Sequence, residues 1–326
     1  LYMKTVALED KIEIEVPKNT RAAFTVDTPA NIPKLHQVSL WIAKRGSGKS
    51  LSCANYVKHL RDNKLVDRVI LVSPTYKTQV GLWEFAGVSE EDALPATYES
   101  LLHIQELMAE EAEEWNEYQK QLVIYNKLQQ LIRRPGQTKV DWSLLFEADA
   151  AGLLDSYTKP VYKYGNRPVS IYVIFDDIIG TEIFGTKSKS GNNAKQLLTN
   201  MCILHRHVEG IGLSMAFLCQ VYLGQFALPR VIREQASFLC IFKTYDVKRL
   251  KQMANELDIP EETFKALHDF ATSECHQFLL VDLITKDKSM KYRKGFNERI
   301  ELSQNLENPD EQTECEVKLP ETENKK

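Results

Sequence analysis

Residues 37–50, QVSLWIAKRGSGKS, constrain the fold of this chain more than any other stretch. A short apolar run ends in Gly46-Ser47-Gly48-Lys49-Ser50. KSLSCANYVKHLRDN follows with a helical period, and then a second buried run, RVILVSP. An apolar strand, a Gly-rich turn, a helix and another apolar strand predict a βαβ unit with the turn at its first strand-to-helix junction. In such a turn, small residues let backbone N–H groups wrap phosphate oxygens while the helix directs its positive end at them. The segment Lys44, Arg45, Gly46, Ser47, Gly48, Lys49, Ser50 and Leu51 is therefore the candidate nucleotide-binding loop. Lys49 should reach phosphate oxygens, and Ser50 should offer its hydroxyl to Mg²⁺. Ala43 stands where the usual pattern has its first glycine. A methyl group is tolerated there if the backbone is extended or right-handed.

A phosphate loop needs a carboxylate partner, and VSIYVIFDD provides an apolar strand ending in Asp176 and Asp177. Asp176 is the candidate magnesium residue, together with Ser50. Asp177 is placed either to orient or deprotonate a water that attacks the γ-phosphate, or to cap the next segment. A further strand, GLSMAFLCQ, ends in Gln220, an amide able to sense the γ-phosphate or the attacking water. Before it, LLTNMCILHRHVEGIG has a helical period and carries Arg206 near its end. Two readings of Arg206 stand: a surface ion-pair residue, or an arginine reaching into a neighbouring subunit's nucleotide. SFLCIFK is another strand, and QFLLVDLI through Lys286-Asp287-Lys288 to MKYRKGF is a C-terminal β-hairpin. The predicted fold is α/β: a mostly parallel sheet flanked by helices, of the P-loop NTPase type.

Around this core, residues 1–34 hold an alternating KIEIEV and a connector. Residues 35–300 form the P-loop domain, and residues 301–326 form a polar tail expected to be disordered. Between about 95 and 167, Leu101, Ile104, Met108, Trp115, Tyr118, Leu122, Tyr125 and Ile132 recur at helical spacing. This insertion is a long helix or helical hairpin, either packed on its own domain or projecting as an arm. Its run EEAEEWNE reads as a solvated acidic face. The net charge of -4 excludes a uniformly basic DNA coat protein and confines any nucleic-acid contact to local patches. Such patches are Lys187, Lys189 and Lys195, the stretch KTYDVKRLK, and KDKSMKYRKGF, each also readable as an ordinary solvated face. The six cysteines are scattered without a CxxC pair, as reduced thiols of an intracellular protein would be. Cys202, His205 and His207 lack a second ligand pair for zinc. No apolar run approaches the roughly 20 residues of a membrane span, and the N-terminus lacks a signal-peptide layout.

In order and spacing, AKRGSGKS, YVIFDD, HRHVEGIGLSMAFLCQ and LPRVIREQASFLCIFK resemble the FtsK-HerA superfamily of DNA-pumping ATPases. They look most like the genome-packaging ATPases of large double-stranded DNA viruses, of the poxvirus, giant-virus and virophage type. The resemblance covers about residues 35–245. It implies an ATP-driven double-stranded DNA translocase, with ATP and Mg²⁺, that works as a homo-oligomeric ring against capsid or portal vertex proteins. It also implies location in the host cytoplasm, at the viral factory, and in the virion. By resemblance Lys49, Asp176, Asp177 and Gln220 are catalytic, and Arg206 is a finger acting in trans, with Arg230 and Arg233 as alternatives. Ala43 and the long helical insertion depart from the family pattern. The alternative reading is a nucleotide-binding virion assembly protein with little turnover.

Overall fold

The structure is a computed structural model that describes residues 26–302, apart from 134–141, 157, 185–188, 207–209, 223 and 225–226. KIEIEV, the polar tail beyond 302, Lys187 and His207 fall outside the described residues, as do the side chains of residues 189–192. The strands are β1 (Val38–Ile42), β2 (Arg68–Val72), β3 (Ala93–Leu94), β4 (Ser170–Asp176), β5 (Gly212–Cys219), β6 (Phe238–Phe242), β7 (Phe278–Asp282), β8 (Tyr292–Lys294) and β9 (Glu298–Arg299). The helices are α1 (Lys49–Asp62), α2 (Val80–Ala86), α3 (Tyr98–Arg133), α4 (Trp142–Ala150), α5 (Leu153–Ser156), α6 (Lys189–Leu204), α7 (Arg230–Arg233), α8 (Val247–Glu256) and α9 (Glu261–Ala271).

The strands form one nine-stranded sheet in the order β3-β2-β4-β5-β1-β6-β7-β8-β9. Strands β1 to β6 pair in parallel, and β7, β8 and β9 extend the sheet antiparallel. β1, β4, β5 and β6 are buried along their whole length, which is why they read as continuous apolar runs rather than alternating ones.

Alternate residues still sort to opposite faces. Val38, Leu40 and Ile42 join a core covered by α3, α6, α8 and α9, while Trp41 and Ala43 join one covered by α1 and α2. Trp41, fully buried, meets Tyr56 of α1, Phe238 of β6, and Phe278 and Phe296 of the antiparallel extension, with ring centroids 5.9–6.2 Å apart. This aromatic cluster anchors the strand and helix that bracket the Gly-rich turn.

The insertion contains α3, a helix of 36 residues and therefore about 54 Å long. One part of it packs on its own domain and another does not. Leu101, Ile104, Leu107, Met108 and Ala112 pack into the main core, whereas Leu128 joins Leu144, Ala148 and Leu153 in a small separate cluster with α4 and α5. The acidic run is not uniformly solvated. Glu111 is buried and pairs with Lys163 at 3.0 Å, and Lys163 also reaches Glu114 at 2.6 Å. Trp115, Tyr118, Tyr162 and Tyr164 pack ring to ring beside them, so the interruption in the helix's apolar stripe is a buried glutamate paired with an exposed lysine next to an aromatic cluster.

Candidate active site

Parallel strands place their carboxyl ends on one edge of the sheet, and β1, β4 and β5 deliver the predicted residues there together. Two registers set the alignment. Phe175 of β4 lies opposite Phe217 of β5 with the rings stacked at 4.8 Å, and Ile42 of β1 lies opposite Cys219. Just past the strand ends, Asp177 follows Asp176 of β4, Gln220 follows Cys219 of β5, and the Ala43 amide closes the gap by donating to the Cys219 carbonyl at 3.0 Å. Ala43 is buried and is not among the positive-φ residues, so its methyl group costs the loop nothing.

The loop itself depends on glycine at two positions. Gly46 and Gly48 have φ of +79° and +87°, in the left-handed region that L side chains rarely occupy. A Cβ on Gly48 would in addition stand 3.0 Å from His276 Nδ1. That imidazole comes from the α9–β7 connection and lies over the loop, its Nδ1 3.3 Å from the Ser47 carbonyl, which accepts the hydrogen bond. Residues 44–51 line a cleft of about 570 Å³ with Thr75, Thr78, Gln79, Asp177 and Gln220.

Within this cleft the side chains contact one another. Lys49 Nζ lies 3.2 Å from Asp177 Oδ1 and 3.7 Å from Asp176 Oδ1. The Ser50 hydroxyl donates to Asp176 Oδ1 at 3.5 Å, and Gln220 Nε2 donates to Asp177 Oδ1 at 3.0 Å. Asp176 is 1% exposed, and its second oxygen, Oδ2, is buried without a hydrogen-bond partner. Burial raises its carboxyl from the ordinary 3.8 to about 6; Lys49 and Ser50 oppose the shift, and Asp177 adds to it. Asp177 sits at φ +50°, a conformation that Asp tolerates better than most residues but that still costs about 1 kcal/mol. An orphaned carboxylate oxygen beside a hydroxyl is a suitable donor set for a hard divalent cation.

The three candidate arginines lie apart from this group. Arg206 is exposed in the turn after α6, just before β5 begins, and its Nε donates to His205 Nε2 at 3.4 Å. β5 runs for eight residues, so Arg206 is roughly 25 Å along the strand direction from the phosphate edge of its own chain. Arg230 is exposed and pairs with Glu234 at 2.8 Å. Arg233 is held internally: it pairs with Glu256 at 2.8 Å, donates to the Leu228 carbonyl at 2.6 Å and lies over the Tyr222 ring. His205 turns its Nδ1 to the Cys202 carbonyl at 2.6 Å, and no metal-ligand cluster occurs among the described residues. No helix of the described residues is long and apolar enough to cross a membrane.

Sequence reasoning missed His276, Thr75, Thr78, Gln79 and Arg249, whose Nη1 donates to the Gln220 carbonyl at 3.4 Å. Four come from the β2–α2 and α9–β7 connections and Arg249 from the first turn of α8, where no periodicity marks a residue that tertiary folding brings to the site.

No protein-family model matches the chain, and no curated protein matches it. Among solved structures, it is similar to the genome packaging NTPase B204 from Sulfolobus turreted icosahedral virus 2 in complex with ATPγS, at 13% identity over 76% of this chain and 92% of that one, TM-score 0.35. B204, the DNA-packaging ATPase from Sulfolobus turreted icosahedral virus, gives 15% identity, 76% and 92% coverage, and TM-score 0.37. The pCW3 conjugation coupling protein TcpA with ATPγS gives 14% identity, 75% and 56% coverage, and TM-score 0.40. The strand order, the glycine turn between β1 and α1 and the acidic end of β4 identify the fold of this chain as that of a P-loop NTPase.

Proposed function

We propose that this chain is an ATP-hydrolysing motor of the FtsK-HerA type that drives double-stranded DNA into a viral capsid. The observation that carries the reading is the mutual contact of Lys49, Ser50, Asp176, Asp177 and Gln220 at the mouth of a glycine-lined cleft. The backbone N–H groups of the loop and the N-terminus of α1 bind the phosphates of ATP. Lys49, free to exchange its carboxylate partners for phosphate oxygens, neutralises them. Ser50 and Asp176 would hold Mg²⁺, which supplies further neutralisation of phosphate charge. Asp177, positioned by Gln220, orients the attacking water and takes its proton.

Arg206 lies too far from its own phosphate edge to serve there, so its catalytic role requires a neighbouring copy. Head-to-tail contacts of that kind close into a ring or run into a filament, and the motor reading takes the ring. Arg230 is an exposed alternative; Arg233, already engaged with Glu256, is the weakest. Capsid or portal vertex proteins are the partners in this reading, and the host cytoplasm and the virion are its sites.

The test is ATP turnover with and without duplex DNA for the parent, Lys49→Ala, Asp177→Asn and Arg206→Ala. Loss of turnover in each variant, with partial recovery when Arg206→Ala and Lys49→Ala subunits are mixed, supports the motor. Equal turnover in Asp177→Asn and the parent sinks the catalytic assignment. The separate cluster at the far end of α3 favours a second reading, a nucleotide-binding assembly factor with α3 as its contact arm. That reading requires ATP binding with negligible turnover under every DNA condition.

A further inference from the structure

The connection between β6 and α8 opens on the same edge of the sheet as the phosphate loop, because β6 runs parallel to β1 and beside it. Lys243, Tyr245, Val247 and Lys248 are exposed, Tyr245 at 79%, and Lys243 Nζ stands 5.6 Å from the centre of the Tyr245 ring. The acid among them, Asp246, has a side chain 45% exposed but engaged at the start of α8: its Oδ1 accepts from the Arg249 amide at 3.1 Å, and its Oδ2 lies 3.7 Å from Arg249 Nε. The turn thus exposes two lysines and a tyrosine whose single neighbouring acid is already engaged by Arg249, in a chain whose net charge is -4.

Arg249 faces the other way. Its side chain is 14% exposed, and Nη1 donates to the backbone carbonyl of Gln220. The Gln220 side chain donates to Asp177 Oδ1 at 3.0 Å, and Asp177 in turn holds Lys49 at 3.2 Å. A continuous series of polar contacts therefore runs from an exposed basic turn to the phosphate lysine.

We propose that the 243–248 turn is a contact for a nucleic-acid phosphate backbone, and that Arg249 is the positioning residue that links its occupancy to Gln220. The inference rests on the motor reading above. Lysines spaced along a turn neutralise phosphates without reading bases, and an exposed tyrosine adds a sugar or base contact. Engagement of the turn moves the N-terminus of α8, and with it Arg249. Because Arg249 holds the Gln220 backbone, the displacement reaches the Gln220–Asp177 hydrogen bond.

Two measurements test it on the full chain. In the first, the affinity of a fluorescein-labelled mixed-sequence duplex is measured at several salt concentrations. The combined Lys243→Ala, Tyr245→Ala and Lys248→Ala variant should weaken binding by about tenfold or more and lower the salt slope by about 2. Lys265→Ala, on the exposed side of α9, should retain the parent's affinity. In the second, the affinity for an ATP analogue is measured with and without saturating duplex. Their ratio should fall to about one in Arg249→Ala and be partly restored in Arg249→Lys. A triple variant that binds duplex like the parent, or that loses self-association with duplex affinity intact, overturns the contact. An Arg249→Ala variant that keeps the parent's ratio overturns the linkage. Both readouts work without hydrolysis, so a parent that never turns over ATP would count against the motor reading while these measurements still decide the turn and Arg249.

Discussion

Asparagine at position 176 should make the metal-free chain more stable at neutral pH while removing its turnover. Asp176 is 1% exposed, and burial, opposed by Lys49 and reinforced by Asp177, lifts its carboxyl from 3.8 to about 6. A folded pKa above the unfolded one means that the native chain binds more protons between these values. Stability is therefore lost as pH rises from about 4 to 6, and the full cost is present above that range. At about 1.4 kcal/mol per pKa unit, the penalty at pH 8 approaches 3 kcal/mol and shrinks by roughly two thirds at pH 4.5. The amide gives back part of the gain by weakening the contacts to Lys49 and Ser50, so a net stabilisation of about 1–2 kcal/mol is expected at pH 8. Urea unfolding of both proteins in a chelator, at pH 8 and pH 4.5, measures it. An asparagine variant no more stable than the parent at pH 8, or a difference that ignores pH, would refute the claim that Asp176 is ionised at a cost. Added Mg²⁺ should stabilise the parent and leave the variant unchanged.

Three further outcomes follow from other contacts. Gly48→Ala places a side chain at φ +87° against His276 and should cost about 1–2 kcal/mol, lowering Tm by several degrees; adding His276→Ala should recover the steric share. Lys163→Ala leaves Glu111 buried without its cation and should destabilise by about 1–2 kcal/mol, with Glu111→Gln restoring most of it in urea titrations of the double variant. Burial works against the Glu256 carboxylate, but hydrogen bonds from Arg233 and Tyr222 hold its pKa below the ordinary value. It therefore contributes stability at neutral pH that is lost as pH falls through its folded pKa. Glu256→Gln should flatten the acid limb of a Tm-against-pH curve, and Arg233→Ala should weaken the chain by about 2 kcal/mol at pH 7.

The central strands were legible because β1, β2, β4, β5 and β6 are buried apolar runs bounded by turn residues, so their composition alone marks them. The residues at their carboxyl ends, Asp176, Asp177 and Gln220, were legible for the same reason: a polar group ending an apolar run is locally visible. β3 was not, since two residues carry no pattern. α8 was read only as part of the basic stretch KTYDVKRLK and α9 was not read at all, although α8 buries Leu250, Met253 and Ala254, and α9 Phe264, Leu267 and Ala271, at helical spacing. The contacts of His276 with Ser47 and of Arg249 with Gln220 join residues 229 and 29 positions apart. Such contacts are set by crossover topology, on which local sequence is silent.

The sheet ends in two-residue strands on both sides, β3 at one edge and β9 at the other. Among the described residues, neither edge offers a second chain a long row of free backbone donors and acceptors. The described edges thus give one copy of this chain little with which to extend another's sheet, the route by which β-rich proteins fuse irreversibly. In the motor proposed above, contacts between subunits would rest on side chains of helices and turns, joints that can be remade as subunits shift.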